Sequence, residues 1–233
     1  MLLGLEPGDR VLAVATHPDD ETLGAGGTLA RLTGEGAEVH VLAVTCYPLP
    51  RWGTCHDSAR RRAQFDAACD VLGVAGRDIA WVDDHRARHL ETHLPELIRL
   101  LEAGHELSLT ALRPAALLIP ADGAIHQEHR LVNRACYAAA RPGGGTRHTP
   151  RIVLGFDGPE DHAWGTRQRR GHALVDITAT AETKDKALAC YDGELRDETH
   201  PRSPGRIRAI DAALAATAGT GRAEAFTVYR MAW

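Results

Sequence analysis

The feature that most constrains this chain is the alternation of short apolar runs with longer helix-period segments through its first two thirds. Runs suited to strands fall at 10–16, 38–45, 78–82, 115–120 and 151–156. Helices are expected between them, at about 24–34, 57–73, 92–109 and 127–140. Leu94, Leu97, Ile98 and Leu101 recur with the period of one buried helical face. Such alternation makes successive strands parallel, and a parallel sheet must be covered on both faces. The expected fold class is therefore α/β: a Rossmann-like, doubly wound, mainly parallel sheet with helices on both faces. Past a loop at 141–146, a strand at 172–178, helices at about 182–192 and 204–217 and a strand at 225–231 make a C-terminal α+β extension. There is no internal repeat or low-complexity tract, and 233 residues suit one domain spanning 1–233.

The first apolar run leads directly into His17-Pro18-Asp19-Asp20-Glu21. Ligands of open α/β sheets bind outside the carboxyl ends of the strands, so this polar cluster lands in the crevice. Pro18 biases His17 toward an extended conformation, which makes His17 the expected last residue of the strand. An imidazole and a carboxylate three residues apart can converge on one cation, leaving Asp19 free as a base. The competing reading is structural. Acidic residues and Pro are ordinary in the first turn of a helix, where they complement its dipole.

A second cluster decides between them. The run at 115–120 leads into Asp122-Gly123-Ala124-Ile125-His126-Gln127-Glu128-His129. Two strands far apart in sequence thus each deliver histidine and acid at a carboxyl end. A catalytic zinc takes three protein ligands and keeps one position open. His17, Asp20 and one of His126 and His129 supply that count, and the mixed N/O set suits Zn²⁺. The glycines Gly24, Gly26 and Gly27 do not make a dinucleotide fingerprint, because they begin too far past the strand and Leu29 stands at the third glycine's position. Close packing of a helix on the sheet explains them better.

Composition narrows the partners. The hydrophobic fraction of 44% and charged fraction of 25% are those of an ordinary globular protein, and no apolar run approaches the roughly 20 residues of a membrane span. The amino-terminal residues carry no signal-peptide pattern. A net charge of −4 argues against a nucleic-acid partner, so the basic clusters at 60–62 and 167–170 are read as solvated faces. The five cysteines form no Cys-x-x-Cys pair, which suits a reduced, cytoplasmic protein without a cysteine metal site. A homo-oligomer is compatible with all of this. Of 27 basic residues only Lys184 and Lys186 are lysines, a bias of GC-rich bacterial genomes. His40, His56, His85, His89, His93, His105, His148, His162 and His172 have no paired spacing at a strand end and are not read as ligands. His200, in His200-Pro201-Arg202-Ser203, is a candidate substrate contact on a loop over the pocket.

Together, Ala15-Thr16-His17-Pro18-Asp19-Asp20-Glu21, Gly24-Ala25-Gly26-Gly27 and His126-x-x-His129-Arg130 resemble the LmbE/PIG-L-like zinc-dependent N-acetyl sugar deacetylases. The resemblance implies one Zn²⁺ per chain held by His17, Asp20 and His129, with Asp19 as general base. It implies His126 as the residue that stabilises charge or protonates the leaving amine, and Arg61 and Asp84 as sugar contacts. The implied function is hydrolytic removal of an acetyl group from an N-acetylglucosamine-type sugar or its glycoside, in bacterial specialised-metabolite or sugar-thiol biosynthesis. The alternatives are an amidase on a non-sugar amide and a catalytically silent metal-binding protein. Five positions depart from the family pattern: Gln64 for Glu, Glu128 for Asp, Gly193-Glu194 for Ser-Gln, and Ala124 where some members place a tyrosine. Tyr47, just past the second strand, is a candidate substitute for that tyrosine.

Overall fold

The structure, a computed structural model, describes all residues except 49, 52, 53, 56, 166–171 and 233. In chain order its elements are β1 (Arg10–Ala15), α1 (Asp20–Gly34), β2 (Glu38–Cys46), the two-residue strands β3 (Pro50–Arg51) and β4 (Thr54–Cys55), α2 (Ser58–Leu72) and β5 (Gly76–Val82). There follow α3 (His85–Arg88), α4 (Leu94–Arg99), α5 (Leu109–Leu112), β6 (Ala116–Pro120), α6 (Gln127–Ala139), β7 (Ile152–Phe156) and α7 (Pro159–Trp164). The chain closes with β8 (His172–Asp176), α8 (Ala181–Ala189), α9 (Pro204–Ala216) and β9 (Ala223–Met231).

Seven strands form one sheet in the order β5-β2-β1-β6-β7-β9-β8. The five from β5 to β7 are parallel, while β9 runs antiparallel to both of its neighbours. The chain leaves β1 toward β2 and β5 on one side and returns to β6 on the other. The order therefore reverses between β1 and β6, and the crevice outside their carboxyl ends is the topological switch point where such sheets bind ligands. Val11, Ala13 and Ala15 point to a core shared with Leu29 of α1, Phe65 of α2 and Ala187 of α8. Leu12 and Val14 point the other way, toward Leu97 of α4 and Val132 of α6. Both faces are covered, as the alternation predicts. Among the described residues no helix is long and apolar enough to cross a membrane.

The glycines of α1 set how closely it lies on the sheet. A Cβ at Gly24 would stand 2.5 Å from the Phe156 ring, and one at Gly27 would stand 2.6 Å from Ile177. Behind this helix, Lys184 Nζ is buried against Asp211 at 3.0 and 3.1 Å and Glu224 at 2.9 Å. Glu224 accepts in turn from the backbone N–H groups of Gly27 and Thr28 and from the Thr28 hydroxyl. This cluster ties α8, α9 and β9 to α1.

Several boundaries differ from the sequence reading. β1 ends at Ala15, so His17 lies two residues beyond the strand rather than at its end. α1 begins at Asp20 instead of about 24, because the Asp19 carbonyl already accepts from Thr22 and Leu23 N–H. The helix expected over 92–109 is broken: α4 passes into one π turn at Leu100–Gly104, and His105 is extended. His105 bonds Asp78 at 3.1 Å and accepts from Leu107 N–H, and Ser108 caps the separate α5. Local side-chain bonds there outcompete the helix that the leucine spacing favours. β8 stops at Asp176 rather than 178, and the C-terminal α+β extension adds β9 and β8 to the edge of the main sheet.

Candidate active site at the β1 and β6 strand ends

The ends of β1 and β6 bring His17, Asp20 and His129 together, with one donor atom from each within 4.8 Å of the others. Asp20 Oδ2 is the hub, 3.4 Å from His17 Nδ1 and 3.2 Å from His129 Nε2. The same oxygen accepts from the His17 backbone N–H at 2.8 Å, which fixes the carboxylate on its own turn. His129 Nε2 is buried and makes no hydrogen bond, an orphan that a cation would satisfy. Two imidazoles and a buried carboxylate, with His17 and His129 lining a cavity, are the donor set of a three-ligand divalent site, and these residues fit one. His17 Nε2 contacts Glu128 Oε2 at 2.6 Å, and Glu128 Oε1 accepts from the Tyr47 hydroxyl at 2.9 Å. A carboxylate on the far nitrogen of a ligand imidazole fixes its tautomer and orientation. His17, His126 and Glu128 form a second metal-capable group among the described residues, but Glu128 is already bonded on both oxygens.

Burial by itself would lower the His17 pKa; the bonds to Asp20 and Glu128 outweigh it and push His17 up to about 9. Burial would raise Asp20, yet His129 and His17 hold it well below the usual carboxylate range. A cation entering the site therefore competes with the proton on His17 and meets an ionised Asp20.

Asp19 is the neighbour that does something else. Its backbone adopts φ +125°, a conformation that costs of order 1–3 kcal/mol in a non-glycine residue. It occupies the cap position of α1, yet its side chain makes no cap bond. Instead Asp19 Oδ2 meets Arg202 Nη1 at 3.1 Å and Arg61 Nη2 at 3.3 Å, while Oδ1 is buried with no hydrogen-bond partner. Burial raises the Asp19 pKa, and the two guanidinium groups oppose that rise. Arg61 is held on its far side by Glu194 at 2.8 Å, and Arg202 by Glu160. His126 stands over the group, its ring 5.1 Å from that of His17 and 4.8 Å from that of His129. Burial, then the His17 and His129 imidazoles, push His126 down to about 4. All of these side chains open on one cavity of about 370 Å³, a size suited to a small organic molecule.

Comparison with known proteins meets this geometry at its sequence motifs. The PIG-L family model, described as GlcNAc-PI de-N-acetylase, matches residues 12–140, more than half of the chain. The chain belongs to the PIG-L family. A 36-residue stretch is 61% identical to a 1D-myo-inositol 2-acetamido-2-deoxy-alpha-D-glucopyranoside deacetylase of Rhodococcus opacus (strain B4), covering 16% of this chain and 12% of that protein. The 2'-N-acetylparomamine deacetylase of Streptomyces fradiae is 29% identical over 216 residues, 81% of this chain and 75% of that protein. Across the first of the relatives the match spans between 12% and 53% of their length. The crystal structure of the A40926 pseudoaglycone deacetylase superposes with a TM-score of 0.76 at 20% identity, covering 97% of this chain and 99% of that one. That likeness is one of fold.

Within this PIG-L site the remaining sequence candidates fall unevenly. Arg61 and His200 line the cavity. Asp84 does not: its carboxylate caps α3 through Arg86 N–H and pairs with the Arg86 guanidinium, which lowers its pKa to about 2. Tyr47 lines the cavity, with its hydroxyl engaged by Glu128. Of the basic cluster at 60–62, Arg60 and Arg62 pair with Asp192 and Asp78, and only Arg61 turns inward. The cluster at 167–170 and His56 lie outside the described residues. Arg202, Glu194 and Glu160 are the site residues that sequence reasoning missed. Arg202 sits in a segment notable only for its neighbour His200, and nothing local distinguishes Glu160. Glu194 did leave a signal, as the charged replacement in the Gly193-Glu194 departure.

Proposed function

We propose that this chain is a zinc-dependent hydrolase that removes the acetyl group from an N-acetylated amino sugar or a glycoside of one. The observation that carries the reading is Asp19: a buried carboxylate beside a three-ligand donor set, drawn away from helix capping and held by two arginines. A divalent ion on His17, Asp20 and His129 would bring the pKa of water toward neutrality and polarise the amide carbonyl. Asp19 accepts the proton of the attacking water and returns it to the departing nitrogen as the C–N bond breaks, giving acetate and the free amine. Arg61 and Arg202 fix the carboxylate so that one oxygen remains for that transfer. His126 donates a hydrogen bond to the carbonyl oxygen as charge develops there, or to the departing nitrogen. Glu128 orients His17.

The sugar assignment rests on the family and on the named substrates of its bacterial relatives, a 2-acetamido-2-deoxy-glucopyranoside of inositol and 2'-N-acetylparomamine. We assign the whole chain to one catalytic domain and, from free cysteines at 46, 69, 136 and 190, to a reducing cytoplasm. Because Asp84 does not line the cavity, an amidase on a non-sugar amide is the second reading. The test is amine release by zinc-loaded protein from a panel of acetylated sugars, glycosides and simple acetamides. Release from the sugars, abolished by chelation, is expected. Release from the simple acetamides alone would establish the second reading, and release from none would overturn both.

A further inference from the structure

We infer that Trp164 and His200 form a subsite for the second ring of a glycoside substrate, so that this chain prefers a linked sugar to the free N-acetylated monosaccharide. The inference rests on the sugar deacetylase reading and deepens it. Large apolar side chains in this protein are mostly buried, but Trp164, the last residue of α7, is 53% exposed and lines the cavity. Its ring stands 5.4 Å from that of His200 at an interplanar angle of 85°, so the two make an aromatic corner. Ile125, also exposed, lines the same cavity, and its backbone N–H is tied to Asp161 of α7 at 2.7 Å.

The corner is not simply greasy. His200 Nδ1 accepts from Arg202 N–H at 3.1 Å, which puts the neutral ring's proton on Nε2 as a donor. Glu160, which pairs with Arg202, and Arg196, which donates to the Gly193 carbonyl, also line the cavity. A flat apolar face edged by hydrogen-bonding groups matches a pyranose, whose C–H face is apolar and whose rim is hydroxylated. An alkyl chain would offer no acceptor to His200 Nε2. The reacting amide must sit at Asp19 and the His17–Asp20–His129 set, and a cavity of about 370 Å³ has room beyond one acetylated ring. The second ring therefore falls to Trp164.

The experiment compares N-acetylglucosamine with disaccharides carrying it, linked through either anomer, on parent, Trp164→Ala and Trp164→Phe proteins. Turnover and calorimetric binding to the zinc-loaded proteins are both read. The parent is expected to favour at least one disaccharide. Trp164→Ala should lose about tenfold or more in kcat/KM and in affinity for it, with less than twofold change for the monosaccharide and unchanged zinc content; Trp164→Phe should restore part of the loss. Equal losses on both sugars, or no loss on either, would overturn the subsite. If the parent binds the disaccharide through Trp164 but releases no amine, the subsite stands and the deacetylase reading falls.

Discussion

Two clusters of buried charge meet α1, one at its N-terminus and one at Gly27 and Thr28, and their difference separates site from scaffold. In the Lys184–Asp211–Glu224 cluster every charge has a partner: the ammonium touches three carboxylate oxygens, and Glu224 collects two backbone N–H groups and a hydroxyl. At the strand ends the accounts stay open. His129 Nε2 and Asp19 Oδ1 are buried without hydrogen bonds, and the backbone of Asp19 is held at φ +125°. Buried polar groups in folded proteins are normally satisfied, so an orphan beside a cavity marks a place completed by something else. Buried charge is common to both regions; the incomplete one lines the cavity of about 370 Å³, whereas the complete one borders a cleft of only about 10 Å³.

The contrast can be broken from either side. Lys184→Met would leave Asp211 and Glu224 buried without their ammonium, a loss of about 3–5 kcal/mol in unfolding free energy. Denaturant unfolding would measure it, and the zinc content of the folded protein should be unaffected. Glu128→Gln should act in the opposite sense. It removes an anion that orients His17 at 2.6 Å, so zinc affinity should fall about 10–100-fold with little change in unfolding of the metal-free protein. A chelator competition titration reads that loss. If the Lys184 variant lost zinc as readily as the Glu128 variant, the division into scaffold and site would fail.

How much of this was legible in the sequence follows from the range of the forces involved. The parallel core of the sheet, and the meeting of His17 and Asp20 with one of His126 and His129, follow from local periodicity plus one topological rule, because both motifs sit at strand ends; the choice of His129 came from the family resemblance. The broken helix around His105 was not legible, since Asp78, which holds it, lies 27 residues away. Arg202 was still less so: it reaches Asp19 across 183 residues from a loop with no periodic signature. Asp84 went the other way, because its carboxylate is taken by Arg86, two residues on, through both backbone N–H and guanidinium, a local cap and ion pair that the resemblance could not show.

The central claim is that adjacent Asp19 and Asp20 have different work, and substitution by asparagine tests it most directly. Zinc content and steady-state turnover would be measured for Asp19→Asn and Asp20→Asn at zinc concentrations that saturate the parent. Asp19→Asn should keep its zinc while turnover falls about 10²–10⁴-fold, the usual contribution of a positioned general base. Asp20→Asn should bind zinc weakly, because a neutral amide replaces the anionic hub between His17 and His129. Zinc retained by Asp20→Asn and lost by Asp19→Asn would reverse the two roles, and near-parent turnover in Asp19→Asn would contradict the mechanism.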